Sequence, residues 1–363
     1  MARILVLGAR VLFTRGGADA LVNSLAKELK RRGHEVDTVE LPLSMLPKES
    51  LLNQSALWRA IGLKDGAGRE VDLVIATKFP TYYVSHHAKS IWLVHQHRAL
   101  YDLYASNYSD ISDDPRDEQF RRMIVAADAK AFAEAKYVAG ISQNVIDRLR
   151  GFHGIAGDVL YPPLPLGNAY HPGNFEPYIL SVGRLCLIKR VDMMIKALAI
   201  VHSHIKLKIV GAPDEPGIME YFKSEIDRHH LWNRIEFCGR VSDEELVKLY
   251  SNAFAVYYAP HNEDYGYVTL EAMASAKPVI TAHDSGGTLE FIEHNVNGII
   301  LDPTPDGIGH GINALVSDPQ RAAQLGKAGR KFIEESGLAE SGWDRVVNGL
   351  LSPLNKGASH AAA

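Results

Sequence analysis

Apolar positions in this chain come in short runs separated by longer stretches of helical periodicity. Ile4–Leu7 is wholly apolar, as a strand covered on both faces should be. Gly16-Gly17 precedes a pattern with Leu21, Val22, Leu25 and Leu29 on one helical face, and Gly33 stands where a helix stop favours a left-handed backbone. Val36–Leu41, Val71–Ala76, Ile91–Val94 and Tyr137–Ile141 read as further strands, and the Ala-rich segment Arg121–Ala135 reads as a helix. Apolar strands alternating with helices predict a parallel, doubly wound α/β sheet.

The densest cluster of breakers is Tyr161-Pro162-Pro163-Leu164-Pro165 followed by Pro172-Gly173, and a domain boundary is expected there. The pattern then restarts, with strands expected at Ile179–Val182, Leu207–Val210, Ile235–Phe237, Ala255–Tyr258, Val279–Thr281 and Gly298–Leu301. Domains are therefore expected at 1–170 and 171–337, facing each other across a cleft. A helix follows at 338–352 and a flexible tail at 353–363.

Length agrees: 363 residues suit two domains of ~150 each. Apolar residues make up 46% and charged residues 23%, ordinary for a chain that buries real cores. Lys and Arg number 39 against 43 Asp and Glu, a net charge of -4 that argues against a general nucleic-acid binder. Two cysteines, Cys186 and Cys238, are too few for a disulfide framework or a zinc site, and are expected as buried thiols in a reducing compartment. No 18-residue apolar run occurs, and Arg10 and Arg15 interrupt the first one, so neither a membrane span nor a signal peptide is expected. The expected location is cytoplasmic. Lys27, Lys30, Arg31 and Arg32 either complement a helix C-terminus or rest peripherally on the inner face of the cell membrane.

Ligands of open α/β sheets bind beyond the carboxyl ends of the strands, so chemistry is sought in those loops. After the strand ending near Tyr258 comes His261-Asn262-Glu263-Asp264-Tyr265-Gly266-Tyr267-Val268-Thr269-Leu270-Glu271. A helix beginning near Val268 leaves N–H groups around Tyr267, Val268 and Thr269 to hold an anion. Glu263 and Glu271 bracket that start; alone, each reads as a loop acid or a dipole partner, and together they suit the hydroxyls of a sugar. Gly183-Arg184 with Lys189 can clamp phosphate, whereas Arg190 reads as a solvated surface cation.

Gly16-Gly17 lets a backbone approach a ligand, but no G-x-G-x-x-G or P-loop is present. His95-Gln96-His97-Arg98 follows a strand, and its histidines suit sugar hydrogen bonding better than a metal. His86-His87 reads as surface, and Asp113-Asp114 resembles a metal pair only superficially.

Glu263-x7-Glu271, within Glu-Asp-Tyr-Gly-Tyr-Val-Thr-Leu-Glu-Ala-Met-Ala, resembles the E-x7-E motif of the retaining GT-B glycosyltransferases of family 4. Gly183-Arg184 with Lys189 resembles that family's phosphate-binding residues. Gly16-Gly17, Phe237-Cys238-Gly239-Arg240-Val241-Ser242 and Gly286-Gly287-Thr288-Leu289-Glu290 resemble its glycine loop, its base-side loop and the segment near its end. Trp343-Asp344 resembles the helix that crosses back to the N-terminal domain. Asp264-Tyr265-Gly266 after the first Glu, and Thr269 where Pro is frequent, depart from the pattern; the first leaves sugar selectivity open, and neither removes a chemical group the reaction needs.

The resemblance implies a GT-B fold of two Rossmann-like domains, the first for acceptor and the second for donor. It implies metal-independent transfer of a hexose from a nucleotide diphosphate sugar, with retention and no cofactor. Glu271 would bind ribose, Glu263 would face the donor sugar with His95, and Arg184 and Lys189 would neutralise the diphosphate. Main-chain groups at Arg240 and Val241 would read the base. UDP-glucose leads as donor and GDP-mannose follows. The acceptor would be a glycan or lipid-linked oligosaccharide in exopolysaccharide or cell-surface glycan synthesis. Tyr101–Asp117 either lines its site or is a surface loop. Oligomeric state is left open. The alternatives are a nucleotide-sugar epimerase or hydrolase on the same fold, and a non-catalytic nucleotide-binding subunit. A nicotinamide oxidoreductase lacks its glycine fingerprint.

Overall fold

The computed structural model describes residues 1–13, 16–338 and 342–358. It divides into two units, one of Met1–Pro165 with the chain from Gly342 onward, the other of Leu166–Ser341.

The first unit is a parallel sheet of β1 (Arg3–Arg10), β2 (Glu35–Pro42), β3 (Leu73–Ala76), β4 (Lys89–Leu93), β5 (Tyr137–Gly140) and β6 (Asp158–Val159). Their order is β2-β1-β3-β4-β5-β6. β3 and β4 are buried throughout, which is why they read as continuous apolar runs. Lys89 and Ser90 are the exceptions in β4; the Lys89 ammonium donates to the carbonyls of Tyr82, Val84 and Ala131 at 2.9, 3.1 and 2.9 Å. The two-residue β6 carries too little pattern to be read from sequence.

The helix Gly17–Arg31 buries Leu21, Val22, Leu25 and Leu29, and Gly33 follows it at φ 85°. Arg31 and Arg32 are drawn back onto Glu28 at 2.7 Å, so half of that basic cluster is already paired. The helix Pro115–Ala133 starts before the expected Arg121 because Asp114 caps it, accepting from the N–H groups of Arg116 and Asp117 at 2.8 and 3.0 Å. Asp114 is a cap, not half of a metal pair. On the buried face of this helix, Asp128 accepts hydrogen bonds from the hydroxyls of Tyr82, Tyr83 and Tyr101.

The helix Trp343–Leu350 packs on this unit: Ser90 Oγ donates to the Leu350 carbonyl at 2.7 Å, and Arg32 meets Asp344 at 2.5 Å. A helix Ser352–Ala358 occupies the start of the expected tail, with Pro353 in its first turn, where a missing N–H costs nothing. The rest of that tail, 359–363, lies outside the described residues, as does Arg15.

The second unit holds β7 (Tyr178–Val182), β8 (Lys206–Val210), β9 (Ile235–Gly239), β10 (Ala255–Tyr257), β11 (Val279–Ala282) and β12 (Gly298–Leu301). Their order is β12-β11-β10-β7-β8-β9, parallel throughout. Its core packs Ile179, Leu207 and Ile280 of the sheet against Met194 and Leu198 of helix Val191–Leu198 and Phe222 of helix Ile218–Arg228. Each such side chain contributes roughly 1.5–3 kcal/mol on burial. The first strand of this sheet, β7, lies beside its fourth, β10, and strand order runs outward in both directions from that pair. The loops after β7 and β10 therefore diverge there and leave a crevice, the usual ligand position of such sheets. Cys186 is buried, but Cys238, on edge strand β9, is only half-buried.

Candidate active site

The loops after β7 and β10 bring the main candidates of the second unit together. Lys189 ends a short turn, Leu187–Lys189, and its ammonium pairs with a carboxylate oxygen of Glu263. The Tyr258 hydroxyl lies 3.2 Å from that ammonium and donates to the same Glu263 oxygen at 2.9 Å. Burial, then the neighbouring Glu263 charge, lifts the Tyr258 phenol well above its ordinary pKa, so it stays a donor. Tyr258 was not singled out in the sequence, where it reads as the end of an apolar strand. Its value depends on which way the chain turns after β10.

Gly266 caps the helix Tyr267–Ala274 at φ 88°, and a Cβ there would lie 2.7 Å from Thr288 Oγ1. Only glycine fits this backbone and this space. The buried hydroxyls of Thr269 and Thr288 have no hydrogen-bond partner among the described residues, a polar provision beside the helix start. The Thr269 N–H is not available to an anion as expected, because it donates to the Gly266 carbonyl at 3.0 Å. Tyr267 and Val268 occupy the first two helical positions, whose N–H groups have no intrahelical acceptor.

Glu271 faces inward from that helix and accepts from the Tyr250 hydroxyl at 2.6 Å. Burial raises its carboxyl above the ordinary range, against the hydroxyls of Tyr250 and Tyr170. Arg184 follows Gly183 and pairs with Asp214 while its side chain stays half exposed. Arg190 is not the solvated cation expected: its side chain is 12% exposed and grips Asp284 through two bonds of 2.7 Å.

Three glycines, Gly183, Gly211 and Gly239, end β7, β8 and β9 at φ 146°, 146° and 65°. The Gly211 N–H donates to the Gly239 carbonyl at 2.8 Å, and a Cβ on Gly211 would lie 1.8 Å from the Gly183 carbonyl. This backbone stack sets the floor on which Arg184 and, one loop further, exposed Arg240 and half-buried Val241 stand.

In the first unit, Gly16 precedes the helix that Gly17 opens. Its N–H donates to Asp19 at 3.1 Å, its backbone is extended, and a Cβ would meet nothing within 4 Å among the described residues. A pocket lined by Arg10, Gly16, Asp19, Ala20, Asn23 and Glu40 opens there. His95 Nδ1 lies 2.8 Å from the Gln96 carbonyl; since a carbonyl only accepts, the neutral ring keeps its lone pair on Nε2. His97 packs on Phe79 with ring centres 5.6 Å apart, and burial lowers its pKa. His86 is half-buried rather than surface, its ring nitrogens 2.8 and 3.1 Å from the carbonyls of Ala88 and Val71. Among the described residues, no group of three His, Cys, Asp or Glu is placed to hold a metal ion. Among them, too, no helix is long and apolar enough to cross a membrane.

Comparison with known proteins agrees with the motif reading. Residues 171–332 match the family described as glycosyl transferases group 1. An uncharacterized glycosyltransferase of Methanocaldococcus jannaschii is 37% identical over 175 residues, 47% of this chain and 43% of that protein. The chain thus spans less than half the length of that relative. Sucrose-phosphate synthase of Thermosynechococcus elongatus superposes with a TM-score of 0.77 at 18% identity, covering 100% of both chains. HepE of Anabaena, in complex with UDP and glucose, does so with a TM-score of 0.69 at 19% identity, again over 100% of both. Residues 171–332 are therefore similar to the glycosyl transferases group 1 family, in a chain that has the GT-B fold.

Proposed function

We propose that this chain is a retaining, metal-independent hexosyltransferase. It moves a hexose from a nucleoside diphosphate sugar to a glycan or lipid-linked acceptor in exopolysaccharide or cell-surface glycan synthesis. The observation that carries this reading is the convergence of Lys189, Tyr258 and Glu263 at the divergence of β7 and β10, next to the helix start at Gly266.

The leaving diphosphate gains charge as the glycosidic bond breaks, and preorganised cations and helix N–H groups stabilise that charge. Lys189 exchanges Glu263 for phosphate oxygen, and Arg184 likewise exchanges Asp214. Each exchange replaces one charge-assisted bond by another. Glu263, released, faces the donor sugar. Glu271 takes the ribose hydroxyls, and main-chain groups at Arg240 and Val241 read the base. These cations do the work that a metal would otherwise do, and the acceptor attacks on the face that the diphosphate leaves. A trapped covalent glycosyl–Glu263 adduct would contradict that front-face route.

UDP-glucose leads the donor panel, as HepE was solved with it, and GDP-mannose follows. The test is donor turnover with and without glycan acceptors in the presence of EDTA, with anomers resolved by NMR. The expected product keeps the donor's anomeric configuration and forms only with acceptor. Free sugar or an epimerised donor formed without acceptor would indicate a hydrolase or epimerase. Consumption of no donor would leave only nucleotide binding.

A further inference from the structure

Arg190 is held in a conformation that disfavours it. Its backbone lies at φ 53°, ψ 37°, in the left-handed region that L side chains adopt at a cost. What the side chain gains in return is a node between three segments. Its fork holds both Asp284 oxygens at 2.7 Å, and Nη2 lies 2.9 Å from His261 Nδ1. The Tyr257 hydroxyl donates to the Arg190 carbonyl at 2.9 Å, fixing the backbone beneath. Burial works against the Asp284 charge, yet the Arg190 fork outweighs it and holds that carboxyl below its ordinary pKa.

The same three segments carry the proposed reaction groups. The His261 N–H donates to the Ile188 carbonyl at 2.9 Å, one residue before Lys189. The N–H groups of Asn262 and Glu263 donate to the carbonyls of Asp284 and Ser285 at 2.8 and 3.1 Å. Arg190 thus ties the strip bearing Lys189 to the strip bearing Glu263 through a third that touches both. A bidentate guanidinium–carboxylate pair fixes orientation as well as distance, which a lysine point charge would not.

We propose that Arg190 is a positioning residue, whose grip on Asp284 and His261 holds Lys189 and Glu263 at the spacing the donor meets. The proposal rests on the transferase reading for its kinetic consequence, but not for its structural one.

Arg190→Gly tests it, because glycine keeps the backbone conformation without strain while the fork is lost with the rest of the side chain. The expected result is a kcat lower by about 10- to 100-fold, the scale of a small misplacement of catalytic groups. Donor KM should change less than kcat, and millimolar guanidinium should restore part of the rate. Asp284→Asn should lose a similar factor, and the double variant no more than either alone. Unchanged kcat in Arg190→Gly, or losses that multiply in the double variant, would overturn the proposal. If the wild type consumes no nucleotide sugar, the transferase reading fails and the positioning claim is read by hydrogen exchange instead. The His261, Asn262 and Glu263 amides should then lose protection in Arg190→Gly, and unchanged protection would overturn it.

Discussion

Lys189 places one positive charge between a carboxylate and a phenol, and that trio is where side-chain chemistry should show most clearly. Lys189→Ala should lower kcat on the order of 100-fold, the usual scale for removing one preorganised donor from a developing negative charge. Tyr258→Phe keeps the ring and deletes a hydroxyl bonded to a charged group, worth about 1.5 kcal/mol or more, so kcat should fall roughly tenfold. Steady-state kinetics on the responding donor checks both. Asp128 offers a separate test of the core. Burial, only partly opposed by three tyrosine hydroxyls, raises its carboxyl from 3.8 to about 6. The folded state therefore binds that proton more tightly than the unfolded chain, and the resulting stability is lost as pH rises through 6. In urea unfolding, the stability of wild type relative to Asp128→Asn should fall by about 2 kcal/mol between about pH 4 and pH 7. A difference that stays flat or rises would refute this. Arg190, Asp128 and Tyr258 were not legible in sequence because each owes its environment to residues far along the chain. Glu263 and Lys189 were legible because local spacing and strand ends sufficed to single them out.

At the scale of elements, the glycines at strand ends separate local need from mere presence. Gly211→Ala would press a Cβ into the Gly183 carbonyl, at a backbone φ of 146° that only glycine favours. It should cost about 3 kcal/mol or more and loosen the loops bearing Arg184 and Arg240. Gly16→Ala meets nothing within 4 Å among the described residues and has an extended backbone, so unfolding free energy should stay within about 1 kcal/mol of wild type. Chemical denaturation of the two variants compares them directly; equal losses would contradict the account. The buried strands were readable because a sheet covered on both faces needs continuous apolar runs, and β12 spans Gly298–Leu301 as expected. β6, with two residues, had no run to read. The start of helix Pro115–Ala133 was missed for a different reason: its signal is a cap at Asp114 rather than an apolar period.

At the scale of the molecule, the chain holds two parallel sheets that differ in strand order, and the second unit carries Arg184, Lys189, Glu263, Glu271 and the proposed base-side residues Arg240 and Val241. The proposed nucleotide site thus lies in the second unit alone. Sequence motifs exposed the donor side far better than the acceptor side. Phosphate and ribose impose fixed chemistry on strand ends and a helix start, whereas an acceptor glycan can be met by many loop surfaces. A nucleoside diphosphate that binds only the folded state at ~100 times its Kd should add roughly 2.7 kcal/mol of stability, read as a raised Tm. The most direct test of the central claim is calorimetric titration of full-length protein with the diphosphates of uridine, guanosine, adenosine and thymidine, alongside Lys189→Ala. Saturable, one-to-one binding of one of them is expected, weakened about tenfold or more in the variant. Binding of none of the four, or equal affinity in wild type and Lys189→Ala, would contradict it.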